Sequence, residues 1–225
     1  MLLNGIGKNK ADLNQLKAGM ELKTIQKSGD AKMESIFKAM DKNNNGIIEQ
    51  NEVEDYNKKY DKDGDGQISK KEAKKFIKDH KEEFEKAGIK MKKKDIVNFL
   101  QQAGENTQDV EDCQTTENGA VLITYKDGSK KTVFPDKNYT TSKTEGDKQI
   151  NNSYRADDTL ESSIEISGDK RLQTDYEIDG KTPKRTIESN YSTENSALIS
   201  ETETIYEDGH KKQSVTKYKD GSGKT

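Results

Sequence analysis

The sequence predicts an α+β protein, a small helical domain followed by an antiparallel β-meander of repeated hairpins. Three observations predict it. Apolar residues in the first half recur at helical spacing around two acidic, glycine-containing loops. From residue 119 onward Thr, Ser, Tyr, Ile and Val increase, and Asp-Gly dipeptides separate alternating runs. With 28% hydrophobic and 36% charged residues and no Trp in 225 residues, the chain favours small cores over one large one, while a net charge of -3 removes the self-repulsion that accompanies disorder. The organisation that follows is an N-terminal segment over 1–29, a helical domain over 30–104, an acidic linker over 105–118 and a hairpin-repeat domain over 119–225.

Within 1–29, Met20, Leu22 and Ile25 fit a loose alternation. Met33, Ile36, Phe37 and Met40 then recur at i, i+3, i+4 and i+7 and share one face of a helix that ends at residue 40. Val53, Tyr56 and Tyr60 make a second short stripe. Ala73, Phe76, Ile77 and Phe84 form a third, with Gly88 as its stop, and Ile96, Val97, Leu100 and Ala103 a fourth ending at Gly104. These stripes read as a shared mini-core.

Residues 41–52 (DKNNNGIIEQNE) and 61–72 (DKDGDGQISKKE) place an oxygen wherever a hard cation such as Ca²⁺ needs one: positions 1, 3, 5, 7, 9 and 12, with glycine at 6 for the sharp turn. The first loop offers Asp41, Asn43, Asn45, the carbonyl of Ile47, Glu49 through a water, and a bidentate Glu52, around Gly46. The second offers Asp61, Asp63, Asp65, the carbonyl of Gln67, Ser69 and Glu72, around Gly66. Ile48 and Ile68 fill the eighth position, where the loop anchors on its helices.

Both segments resemble EF-hand loops. The resemblance covers the middle third of the chain and implies two bound calcium ions and no catalysis. The loops begin twenty residues apart, with only residues 53–60 between them. One helix spanning that interval would hold the ions on the order of 15 Å apart at its two ends. Ile48 and Ile68 then cannot pair with each other as in an ordinary couple of loops, and cooperativity should be weak. This compact spacing is similar to that of bacterial EF-hand proteins.

In the β half the turns fall at Asp127-Gly128, Gly168-Asp169, Asp179-Gly180, Asp208-Gly209 and Asp220-Gly221. Asp-Gly is expected there because both central residues of a two-residue hairpin turn take positive φ. Leu160, Ile164 and Ile166 are expected on one face, and Leu172, Thr174, Tyr176 and Ile178 on another. Pro135 and Pro183 fall near strand boundaries. The predicted sheet has one modestly apolar face, which a curl, the helices or a partner must cover, and one charged face. Tyr125-Lys-Asp-Gly, Tyr176-Glu-Ile-Asp-Gly, Tyr206-Glu-Asp-Gly and Tyr218-Lys-Asp-Gly repeat at irregular spacing. They resemble the tyrosine-aspartate-glycine hairpin repeats of bacterial surface and toxin-associated proteins.

Little supports catalysis. His80 and His210 are the only histidines and lie far apart, the first expected on a helix surface and the second just after a turn. Cys113 sits among Asp109, Glu111 and Asp112, which disfavour a thiolate. The lysines from 58 to 94, among them Lys58, Lys70, Lys71, Lys74, Lys75, Lys90 and Lys92 to Lys94, read as a solvated helix surface; no arginine interrupts them and a pI of 5.7 argues against nucleic acid. No run is long and apolar enough for a membrane span. The N-terminus (MLLNGIGKNK) shows no secretory pattern, which favours the cytoplasm over export by a non-standard route and leaves the compartment open. The function expected is a non-enzymatic calcium-binding protein whose β half is an interaction or adhesive module for a protein or surface partner. The alternatives are a calcium sensor that exposes an apolar groove, and a calcium-stabilised enzyme with its site in the β half.

Overall fold

The computed structural model describes residues 11–12, 16–107, 109–219 and 223–224, and the chain divides into two compact units meeting between Thr115 and Thr116. The reading of the extreme N-terminus and the Asp220-Gly221 turn lie outside the described residues.

Unit one carries the helices α1 (Leu22–Ser28), α2 (Ala31–Met40), α3 (Gln50–Tyr60), α4 (Lys70–Asp79), α5 (Lys81–Lys86) and α6 (Lys93–Asn106). Its strands are β1 (Ala11–Asp12), β2 (Met20–Glu21), β3 (Ile47–Ile48), β4 (Gln67–Ile68) and β5 (Val110–Thr115). Asp30 starts α2 by accepting the N–H groups of Lys32 and Met33 at 2.9 and 3.1 Å. The anticipated stripes face inward, with Ile77 and Val97 half-buried at their margins: Ile36, Phe37, Phe76, Ile96 and Leu100 are buried, with Phe99 beside them. Tyr56, Tyr60 and Phe76 interlock with ring centroids 5.0 to 5.5 Å apart.

Several expectations for this unit change. Leu22 and Ile25 belong to helix α1 and not to an alternating segment. The third stripe is divided at His80 into α4 and α5, and Gly88, at φ 70°, closes α5. There the Ile89 N–H reaches the Phe84 carbonyl and the Gly88 N–H that of Glu85, the pair of bonds that ends a helix through a left-handed residue. The fourth helix runs past Gly104 to Asn106. Residues 105–118 hold the end of α6 and the strand β5 and so are not a linker; Cys113, in β5, is buried.

Unit two holds β6 (Val121–Tyr125), β7 (Lys130–Val133), β8 (Tyr139–Glu145), β9 (Lys148–Tyr154) and β10 (Leu160–Ser167). It continues with β11 (Lys170–Tyr176), β12 (Pro183–Tyr191), β13 (Leu198–Glu207), β14 (His210–Tyr218) and β15 (Gly223–Lys224). Each strand pairs antiparallel with its sequence neighbours, so the meander is as predicted.

The turns differ in detail. Among the described residues only Asp208-Gly209 has both residues left-handed, at φ 50° and 76°. At five other turns one pattern recurs, in which the carbonyls of Thr116, Tyr125, Phe134, Arg155 and Glu177 accept the N–H three residues on. The donating N–H belongs to a left-handed residue: Gly119, Gly128, Lys137, Asp158 and Gly180. Just before it stands Asp127, Asp136, Asp157 or Asp179, whose carboxylate accepts the N–H two residues further on. This aspartate does the work assigned to Asp-Gly, which is why Lys137 and Asp158 can replace glycine.

The single apolar face also gives way. Register places Ile164, Ile166, Ile187, Ile205 and Val215 on one face, and Ile150, Leu172, Tyr139 and Tyr154 on the other. Between β7 and β14 the buried residues are small, Ser163, Ser189 and Thr204, overshadowed by longer neighbours, and the unit has no helix among its described residues. Apolar side chains alternate with polar and charged ones on both faces, and Leu172, Leu198 and Ile199 stay exposed. Cross-strand pairs fasten the sheet: Arg185 to Asp175 at 2.6 Å, Lys148 to Glu165 at 2.5 Å, and Tyr139 stacked on Tyr154 at 4.7 Å.

Candidate metal centres

Residues 41–52 and 61–72 fold into two loops with the same hydrogen-bond plan. The first residue ends the preceding helix: Asp41 N–H bonds the Phe37 carbonyl, and Asp61 N–H that of Asn57. Its carboxylate then accepts the glycine N–H at the sixth position, Gly46 to Asp41 at 2.8 Å and Gly66 to Asp61 at 3.1 Å. Gly46 (φ 85°) and Gly66 (φ 71°) take the left-handed backbone this needs. The third side chain accepts the fifth N–H, and the fifth the seventh, through Asn43 and Asn45 in one loop and Asp63 and Asp65 in the other. The twelfth residue takes two more bonds: Glu52 from Lys42 and Glu49 N–H, Glu72 from Lys62 and Ser69 N–H. Each ligand-type side chain is thereby fixed by the loop backbone, and Ile47 and Gln67 take the seventh position in the two-residue strands.

Helix capping explains how the twelfth residue gets there. Ser69 caps α4 and Glu72 stands three residues on, each bonding the other's N–H, at 3.3 and 2.8 Å. One glutamate thus starts the helix and closes the loop.

The eighth-position isoleucines are both fully buried but do not pair with each other. Ile48 pairs with Met20 and Ile68 with Ala11, so each loop leans on its own two-residue strand from the N-terminal segment. Gly19 N–H to the Ile48 carbonyl at 2.8 Å, and Leu22 N–H to that of Gly46 at 2.9 Å, extend the first contact. Sequence reasoning missed both strands, because two residues leave no periodicity to read.

In the second loop Asp61, Asp63 and Asp65 bring a carboxylate oxygen each to within 4.8 Å of one another, a cluster that could hold a metal ion. The first loop has asparagines at two of those places and buries its acids more deeply: Asp41, Glu49 and Glu52 are 3%, 2% and 4% exposed. None of the three has an ion-pair partner among the described residues; Lys42 turns away to Asp55. Burial raises the Asp41 carboxyl above its ordinary value, against the pull of the Gly46 and Asn45 N–H groups and with the Glu49 charge adding to it. Burial likewise raises Glu52, and Asp41 adds to it. At Glu72 burial pulls upward, but the Ser69 hydroxyl and the Ser69 and Lys62 N–H groups outweigh it and hold the carboxyl below its usual range. Glu49 accepts the side-chain N–H groups of Asn43 and Asn45, at 3.1 and 2.8 Å.

The other residues weighed for chemistry stand apart. His80 is not on an open helix surface: its ring lies 4.5 Å from that of Phe76, and its nitrogens meet Tyr60 Oη at 3.2 Å and a Glu83 carboxylate oxygen at 2.8 Å. His210 opens β14 directly after a turn and is exposed. The Cys113 thiol is pushed up to about 12 by burial first and by Glu49, Asp112, Glu21 and Glu52 around it. No helix among the described residues is long and apolar enough to cross a membrane. No protein-family model matches this chain, and no curated protein sequence matches it.

Proposed function

We propose that residues 41–52 and 61–72 are two calcium sites of the EF-hand type, and that the chain is a non-enzymatic calcium-binding protein. The observation that carries this reading is the set of three buried carboxylates, Asp41, Glu49 and Glu52, with no cation beside them. Buried charges are paired or coordinate metals, because an unpaired one costs several kcal/mol, and these three share one loop. The donors are oxygens throughout, which suits Ca²⁺ or Mg²⁺ and not a soft metal. Asp41, Asn43, Asn45, the Ile47 carbonyl and Glu52 would hold one ion, and Asp61, Asp63, Asp65, the Gln67 carbonyl and Glu72 the other. The bound ion would supply positive charge that offsets the cost of gathering these acids and ties α2 to α3 and α3 to α4.

The β half fits an interaction or adhesive module: a sheet that offers both faces and long rows of hydroxyl, amide and charged groups. Isothermal titration of the full chain with Ca²⁺, and separately with Mg²⁺, tests the metal reading. Two calcium ions per chain are expected; one or none overturns it.

A further inference from the structure

The lysines between residues 58 and 94 acquire a use in the fold. Helices α4 and α5, with the turn after α5, border an open trough of about 630 Å³. Its floor is apolar: Ile77, Phe84, Ile89 and Met91. Lys74, Lys78, Lys81 and Lys90 stand around it, with Glu85 the single acid. The left-handed Gly88 builds the far wall, since the Ile89 N–H bond to the Phe84 carbonyl, 2.8 Å, folds Ile89 back beside Phe84. Lys81 is tied to Glu85 at 3.5 Å. Lys74, Lys78 and Lys90 are exposed and make no ion pair among the described residues.

We propose that this groove binds an acidic amphipathic helix of a partner protein. Apolar side chains three and four residues apart on that helix would enter the trough, and its carboxylates would meet Lys74, Lys78 and Lys90. Charge complementarity selects the sign, because the rim carries four lysines against one glutamate. Concavity selects the class of partner. Phe84 is buried and Ile77, Ile89 and Met91 are half-buried, so the apolar surface is recessed. A bilayer is entered by protruding side chains, whereas a recessed floor receives them. Affinity should come from the apolar floor, with the lysines setting sign and on-rate. This inference does not rest on the calcium reading.

The test is fluorescence anisotropy of a labelled synthetic peptide of about 18 residues, Leu at i, i+3, i+4 and i+7 and Glu elsewhere, titrated with the full chain. Saturable binding is expected. It should weaken at least about tenfold with Lys74→Glu and Lys78→Glu together, by a similar factor with Ile77→Asn, and with added salt. The same peptide with Ser in place of Leu should not bind. Circular dichroism checks each variant, and the exposed lysine pair keeps the test decisive if Ile77→Asn does not fold. Absence of saturable binding, equal binding of the Ser peptide, or variants that bind like the parent would overturn the proposal. So would failure of the peptide beside lysine-dependent sedimentation with phosphatidylserine–phosphatidylcholine vesicles, which would assign the patch to an anionic membrane.

Discussion

Glu52 and Glu72 each accept two backbone N–H bonds from their own loop, so the two loops differ less in scaffold than in charge. Residues 61–72 gather Asp61, Asp63, Asp65 and Glu72, whereas residues 41–52 place neutral Asn43 and Asn45 at two of those positions and commit Glu49 to holding them. Ligand charge count is one determinant of calcium affinity, so the second loop should bind more tightly. Glu72→Gln should abolish the tighter phase of a calcium titration and Glu52→Gln the weaker; the reverse assignment would contradict this. Cys113 makes a different prediction at the same scale. Its thiol is buried and pushed up to about 12, so at pH 8 the folded chain should resist iodoacetamide and react only when denaturant is added. Asp179 shows the opposite shift. The Thr182 hydroxyl first, then the Thr182 and Lys181 N–H groups, hold its carboxyl down at about 2. A depressed folded value means its contribution to the sheet is present above the unfolded value of about 4 and is lost as the pH falls towards 2. Thr182→Val should raise the carboxyl titration midpoint read by NMR.

Between residues and whole units stand the short elements, and these were the hardest to read in advance. The loops were legible because cation geometry fixes which positions carry oxygen; the long helices were legible because four stripes repeat at 3.6. The strands β1 and β2 that support Ile68 and Ile48 are two residues each and carry no pattern. Strand β5 hid in acidic sequence because Cys113 is its only buried side chain. In the meander, alternation located the strands but implied one covered face, and a sheet with apolar residues on both faces alternates in the same way. The separate supports predict weak coupling of the two loops, with a Hill coefficient near one. Gly19 gives a sharper handle. It sits at φ 92°, next to β2, and a Cβ there would stand 3.0 Å from Val110 Cγ1. Gly19→Ala should cost about 1–2 kcal/mol from the left-handed backbone alone and more from the contact. Because β2 pairs with β3 and not with β4, calcium binding at residues 41–52 should weaken while residues 61–72 keep their affinity. Equal weakening of both sites in a titration of this variant would show that the loops share one support.

At the scale of the molecule, calcium would touch one unit and not the other. All the ligand residues lie in unit one, which ends at Thr115, and a ligand stabilises what it binds through mass action. Unit two draws its stability from ladders between neighbouring strands, four of its hairpins closed locally by an aspartate-capped turn, and this needs no metal. Such a sheet behaves as a row of near-neighbour contacts, so its strands should hold together without the helices. Chelation should therefore lower the melting temperature of the helical circular dichroism signal and leave the strand signal nearly unchanged. The excised fragment 116–225 should keep its strand content and melt at the temperature of the strand transition in the full chain. If the fragment is unfolded, or if chelation moves both transitions together, the sheet depends on the helical unit for its fold, and the calcium sites would then govern the whole chain.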